Sequence, residues 1–181
     1  MTIECTDKQS VLVVDDTPEN IELLRQLLRA DYVVHAAVSG RKGLEIARAS
    51  PQPDIILLDV MMPDMDGYEV CRRLKRDSAT AHIPVVFITA LDQTGDEANG
   101  LALGAVDYIR KPFEPVVVKA RVRNHLALKR YERGLEALVQ ARTAELALTQ
   151  QVTIEALATL AEYRDSETGG HIKRTQRYVR V

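Results

Sequence analysis

Val11-Leu12-Val13-Val14-Asp15-Asp16 and, further along, Ile55-Ile56-Leu57-Leu58-Asp59 decide how this 181-residue chain folds. Each is an apolar run without polar alternation, and each ends in acid. A strand with one wet face alternates; an unbroken run this short suits a strand covered on both faces, as an all-parallel sheet requires. Working outward, the pattern predicts strands at residues 10–14, 32–36, 55–58, 85–89 and 107–109. Helical patterns lie between them. Thr17-Pro18-Glu19-Asn20 offers an N-cap hydroxyl, a proline at the first helical position and an acid near the positive helix end. Ile21, Leu24, Leu27 and Leu28 follow at helical spacing. Ser39 is placed to cap a helix that buries Leu44, Ile46 and Ala47, and Asp66-Gly67 marks a turn before a helix with Val70 and Leu74 inward. Gly104 is expected to end a fourth helix.

Five strands and five helices in strict alternation predict an α/β fold with a doubly wound, flavodoxin-like five-stranded parallel sheet. The texture changes at Pro115, the last proline; between Gly104 and Gly169 the sole glycine is Gly134. Ala, Leu, Glu, Arg and Gln dominate, all good helix formers. One long C-terminal helix is expected from about residue 115 to about 163. Leu128, Tyr131, Leu135 and Leu138 follow a heptad step, after which Leu135, Leu146 and Leu157 recur every eleven residues, as do Leu138, Thr149 and Leu160. Such a pattern keeps a seam on one side while locally unwinding a supercoil. Arg142, Thr149 and Thr153 interrupt it. A parallel homodimeric coiled coil is the expected covering of this seam; the alternatives are a solvated linker helix or one packed on something outside this chain.

A formal net charge of -2 gives no ground for a nucleic-acid or anionic-membrane partner, and the lack of a helix-turn-helix pattern disfavours a DNA-binding role. Apolar content of 46% and charged content of 28% are those of a soluble globular protein. From Leu128 onward nine Lys/Arg face seven Asp/Glu, which leaves the front of the chain mildly acidic. No run approaches the roughly 18 apolar residues of a transmembrane helix, and residues 1–10 lack the order of a signal peptide. Cys5 and Cys71 form no metal or redox spacing, which suits two free thiols in the cytoplasm.

Asp15 and Asp16 follow the first predicted strand and Asp59 directly follows the third. In an open α/β sheet, ligands bind beyond the strands' carboxyl ends where the winding reverses, which is between these two strands. Three carboxylates gathered there repel, and hard oxygen ligands select Mg²⁺ or Mn²⁺. Thr89 ends strand four and Lys111 follows strand five at the same sheet edge; an ammonium and a hydroxyl both suit phosphoryl oxygens. Lys111-Pro112 is a candidate cis peptide. With no glycine-rich phosphate loop, a bound nucleotide is not expected. Taken singly these signals are weak, since an Asp after a strand is more often a helix cap; their joint order along the chain is specific.

That order resembles the receiver domain family of two-component response regulators over about residues 9–127. It is carried by Val13-Val14-Asp15-Asp16, Leu57-Leu58-Asp59-Val60-Met61-Met62-Pro63, Asp66-Gly67, Ile88-Thr89-Ala90 and Lys111-Pro112-Phe113. The resemblance implies that Asp59 accepts a phosphoryl group from a sensor histidine kinase in self-catalysed transfer. It implies that Asp15, Asp16, Asp59 and the backbone carbonyl of Met61 hold the Mg²⁺ (or Mn²⁺). It further implies that Lys111 and Thr89 contact the phosphoryl group, and that Tyr108 is the aromatic switch that turns inward when Thr89 moves. Without the rest, Tyr108 reads as an ordinary strand aromatic.

Near the end, Glu167 and His171 stand four apart, half a transition-metal site at best; the plainer reading is a polar helix end capped near Gly169. The run from Leu157 to Asp165 with Glu167-Thr168-Gly169-Gly170-His171 and Arg174 nevertheless resembles the opening of an HD-GYP domain. That family hydrolyses cyclic di-GMP with an Fe or Mn cluster, and the resemblance implies Glu167 and His171 as two of its ligands. The expected organisation is a receiver over 1–126, a helical coiled-coil linker over 127–163 and the truncated start of such a domain over 164–181. A metal-dependent phosphodiesterase as the longer parent competes with a hybrid histidine kinase or a coiled-coil adaptor. The kinase-type segment that would surround a phosphoacceptor histidine is absent around His171. His35, His82 and His125 have no companions at ligand spacing.

Overall fold

The computed structural model describes residues 8–90, 100 and 102–164, with the side chains of 162–164 excepted. Five parallel strands, β1 (Ser10–Val14), β2 (Val33–Ala37), β3 (Ile55–Asp59), β4 (Val85–Thr89) and β5 (Asp107–Arg110), form one sheet in the order β2-β1-β3-β4-β5. This is the flavodoxin-like order, and the winding reverses between β1 and β3. Helices α1 (Pro18–Leu28), α2 (Gly40–Arg48) and α3 (Gly67–Arg76) connect the first strands, and α4 (Pro115–Arg164) is the long C-terminal helix. The helix expected between β4 and β5 lies outside the described residues, apart from its last turn. There Gly104 takes φ +93 and Ala105 N donates to Gly100 O, the closing bond of a glycine-terminated helix.

The unbroken apolar runs do what a two-faced strand must. Leu12, Val14, Ile56, Leu58, Val85 and Phe87 point into one core with Leu44 and Ala47 of α2 and Val70, Cys71 and Leu74 of α3. Their neighbours Val11, Val13, Ile55, Leu57, Val86 and Ile88 point into the other, with Ile21, Leu24 and Leu28 of α1 and Val118, Val122 and Leu126 of α4. The last three are spaced four apart, a stripe along one side of the helix. β2 starts and ends one residue later than expected, and as an edge strand it is largely exposed. Cys71 is a buried free cysteine, and desolvation pushes its thiol above the ordinary value.

The caps divide. Ser39 Oγ accepts from Lys42 N at 3.3 Å and Asp66 Oδ1 from Glu69 N at 2.7 Å. Thr17, expected to cap α1 through its hydroxyl, makes no such bond. Its carbonyl takes the amides of Asn20 and Ile21 instead, so the donor a hydroxyl would serve is already satisfied.

The chain divides into two compact units, one through Lys129 and one from Arg130. In the second, α4 leaves Leu135, Leu138, Leu146, Leu157 and Leu160 exposed. No helix among the described residues is long and apolar enough to cross a membrane.

Candidate functional site

The parallel register brings the carboxyl ends of β1, β3, β4 and β5 to one edge of the sheet. Carboxylate oxygens of Asp15, Asp16 and Asp59 lie within 4.8 Å of one another there. Asp15 and Asp59 are buried, with Asp16 nearer solvent. Lys111, just past β5, reaches back so that its Nζ donates to Asp15 Oδ2 and to Asp59 Oδ2, each at 3.0 Å. The Lys111–Pro112 peptide is cis, as the sequence suggested. Thr89, the buried last residue of β4, accepts from Lys111 N through its carbonyl at 2.8 Å, which ties the lysine's backbone to the strand end.

Burial pushes the Asp59 carboxyl above its usual range and the neighbouring Asp15 charge adds to this, while the Lys111 hydrogen bond opposes it. Desolvation works to lower the Lys111 ammonium, but its bonds to Asp59 and Asp15 outweigh that and hold it above the ordinary lysine value. When all three acids are ionised, one ammonium leaves two negative charges uncompensated. At about 4 Å a like-charge pair costs on the order of 4 kcal/mol at an effective dielectric near 20. The donor set is all carboxylate oxygen, converging and open on the Asp16 side. This suits a hard divalent cation that keeps waters and shares a phosphate oxygen.

The sequence reading did not show the part that two residues play at Asp15 and Asp59. Asn20, read there only as part of a helix start, donates from Nδ2 to both carboxylate oxygens of Asp15 at 3.0 Å, and Thr17 N donates to Oδ1 at 2.8 Å. These bonds fix the rotamer of Asp15. A side-chain amide in the first turn after an acidic pair is the signal that could have found it. Gly67 is the second. A Cβ there would collide with the Asp59 carbonyl oxygen and come within 2.9 Å of Val60 Cα. The glycine lets α3 start against the strand end that carries Asp59, with Gly67 N donating to Val60 O at 2.9 Å.

Tyr108 is partly buried on β5, paired in register with Phe87. The guanidinium carbons of Arg110 and Arg121 lie 5.8 and 5.4 Å from its ring centroid. Arg121, on α4, also pairs with Asp107, and His125 Nε2 meets Asp107 Oδ2 at 3.0 Å. His125 is thus no bystander, although it binds no metal cluster among the described residues. Met61 is exposed beside Asp59. Glu167 and His171 lie outside the described residues.

Residues 11–123 match the model of the response regulator receiver domain. Among curated relatives, a "Probable cyclic di-GMP phosphodiesterase" of Vibrio cholerae is 44% identical over 188 aligned positions, covering 100% of this chain and 42% of that protein. "Response regulator PleD" of Caulobacter vibrioides is 50% identical over 131 positions, covering 72% of this chain and 28% of that one. The chain thus spans less than half the length of these relatives. Among solved structures, a response regulator of Chloroflexus aurantiacus superposes with a TM-score of 0.64 at 36% identity, covering 67% of this chain and 99% of its own. The chemotaxis protein CheY4 of Vibrio cholerae gives 0.61 at 29%, covering 65% and 98%. The acid cluster, the bridging lysine and the sheet order all fall within the matched segment, and the chain belongs to the response regulator receiver domain family.

Proposed function

We propose that this receiver takes a phosphoryl group onto Asp59 from the phosphohistidine of a sensor histidine kinase and passes the change to an output module through α4. The observation that carries this reading is the Lys111 ammonium held 3.0 Å from both Asp15 and Asp59 within a three-carboxylate cluster at the switch point of the sheet. Asp15, Asp16, Asp59 and the Met61 carbonyl are the residues that would hold Mg²⁺ or Mn²⁺, which when bound neutralises charge on the transferring group. Asp59 Oδ attacks phosphorus in line; the O–P bond forms as the N–P bond of phosphohistidine breaks, and the imidazole departs with the electron pair. Lys111 donates to an equatorial phosphoryl oxygen and Thr89 to another. The Thr89 shift lets Tyr108 leave its place beside Arg110 and Arg121 and turn inward.

For the output, support comes from the reach of the alignments. Similarity to the Vibrio phosphodiesterase covers the whole chain, α4 included, whereas similarity to PleD covers 72% of it. An HD-GYP cyclic di-GMP phosphodiesterase controlled by this receiver, with Glu167 and His171 among its Fe or Mn ligands, is the reading this favours. The exposed leucines of α4 support a parallel homodimer. Transfer of radiolabel from a phosphohistidine donor tests the core of the proposal. Wild type is expected to be labelled and Asp59→Asn is not; equal labelling of both would refute it.

A further inference from the structure

The outer surface of α2 and α3, on the sheet face opposite α1, carries a charge and a shape that the phosphoryl site does not use. These two helices hold seven Lys/Arg against two Glu, in a chain of net charge -2. Between them lies a groove of about 290 Å³ lined by Arg41, Leu44, Glu45, Arg48, Met65 and Arg73. Leu44 and Met65 supply its apolar part: Leu44 is buried, and Met65 packs against the same core.

Two of the three arginines are held in place. Arg48 Nε donates to Asp77 Oδ2 at 2.9 Å, and Arg73 Nε donates to Glu69 Oε1 at 2.7 Å. In each case the acid engages Nε, and the terminal nitrogens make no hydrogen bond among the described residues. Arg41 is exposed and acts on Glu45 through its charge. Glu45, the one acid in the lining, is already answered by Lys42 Nζ at 2.8 Å. Guanidinium groups oriented in this way lose less freedom on meeting an anion, and their paired donors match phosphate oxygens. Three arginines against one compensated glutamate favour a phosphate, with its greater charge and three acceptor oxygens, over a single carboxylate. The volume lies at the small end of ligand sites, which start at about 300 Å³. It suits one ring and one anionic group rather than a peptide segment.

We propose that this groove binds a small phosphomonoester. Its phosphate oxygens accept from the terminal nitrogens of Arg48 and Arg73, Arg41 adds charge, and its apolar group rests on Leu44 and Met65. Binding is reversible and forms no covalent bond, and it does not depend on phosphoryl transfer at Asp59.

Titration of the full chain with phenylphosphonate and with methylphosphonate, followed by backbone amide shifts without Mg²⁺, tests this. Both probes carry the same anionic group, their C–P bond prevents transfer to Asp59, and one alone carries a ring. Phenylphosphonate is expected to shift the amides of residues 41–48, 65 and 69–73 saturably. It is also expected to bind at least about tenfold more tightly than methylphosphonate, the factor for burying part of one ring. Arg48→Gln with Arg73→Gln is expected to weaken phenylphosphonate by at least about tenfold while Asp59 still takes label. Asp59→Asn is expected to bind it as wild type does. Should the double variant fold poorly, Arg48→Lys with Arg73→Lys, which keeps the charge and loses the paired donors, is expected to weaken it as well. The absence of a saturable shift with phenylphosphonate in the millimolar range overturns the proposal. So do equal affinities for the two probes, which mean diffuse charge attraction, shifts centred on Asp15 and Lys111, or a double variant that binds as wild type does.

Discussion

At the residue scale, the decisive feature is the arithmetic of charge around Lys111. One ammonium serves two buried carboxylates, so its loss leaves them facing each other without compensation. Lys111→Met is expected to destabilise the domain by about 3–5 kcal/mol, the range for breaking a buried ion pair. Millimolar Mg²⁺ is expected to recover part of that loss, and to raise Tm more in the variant than in wild type, as thermal unfolding with and without the ion would show. A variant indifferent to Mg²⁺ would count against a cation site. Asn20→Ala removes two of the bonds that orient Asp15 and is expected to weaken Mg²⁺ binding without unfolding the chain, measured by titration calorimetry. The acids and the lysine could be read from the sequence because each ends or closely follows a strand. Asn20 could not, because nothing in a linear reading says that a first-turn side chain folds back onto the preceding strand end.

At the element scale, the α3 start and the β5–α4 clasp make separate predictions. Gly67→Ala drives a methyl group into the Asp59 carbonyl, and relief requires either α3 or the strand end to shift. A cost of about 1–3 kcal/mol is expected for such overpacking. Slower labelling of Asp59 should accompany it, read from the label incorporated at fixed time. The Asp107 carboxyl has burial pushing its pKa up, but hydrogen bonds from Arg121, His125 and Tyr108 N outweigh this and hold it below the ordinary 3.8. A depressed folded value means the stabilisation is complete above 3.8 and drains away as pH falls below it. Asp107→Asn is therefore expected to lower Tm near neutrality and to converge with wild type on acidification below that value. Sequence separation conceals this clasp: Asp107 and His125 lie eighteen positions apart, and only the folded chain brings them together.

At the scale of the whole molecule, the prediction concerns association. The exposed leucines of α4 at heptad and eleven-residue steps are expected to pair two copies in parallel. Sedimentation equilibrium should show a concentration-dependent dimer, and Leu135→Asn with Leu146→Asn should shift it to monomer while Asp59 remains competent for labelling. A monomer at all concentrations in the wild type would remove the homodimer and leave the helix for another partner. Phosphoryl chemistry is expected to survive that result, since Asp15, Asp16, Asp59, Thr89 and Lys111 all belong to the receiver unit.

Strand content, winding class and the acid-rich sheet edge were determined by the sequence alone, because unbroken apolar runs ending in Asp admit few other arrangements. The long helix was as well, since its composition lacks every breaker but one glycine. Tertiary structure alone decided the hydroxyl-free start of α1, the clasp on Asp107 and the support of Asp15 by Asn20. Periodicity reports which face of an element is apolar, and those residues owe their roles to which polar atoms of distant segments the packing of that face brings within hydrogen-bonding reach.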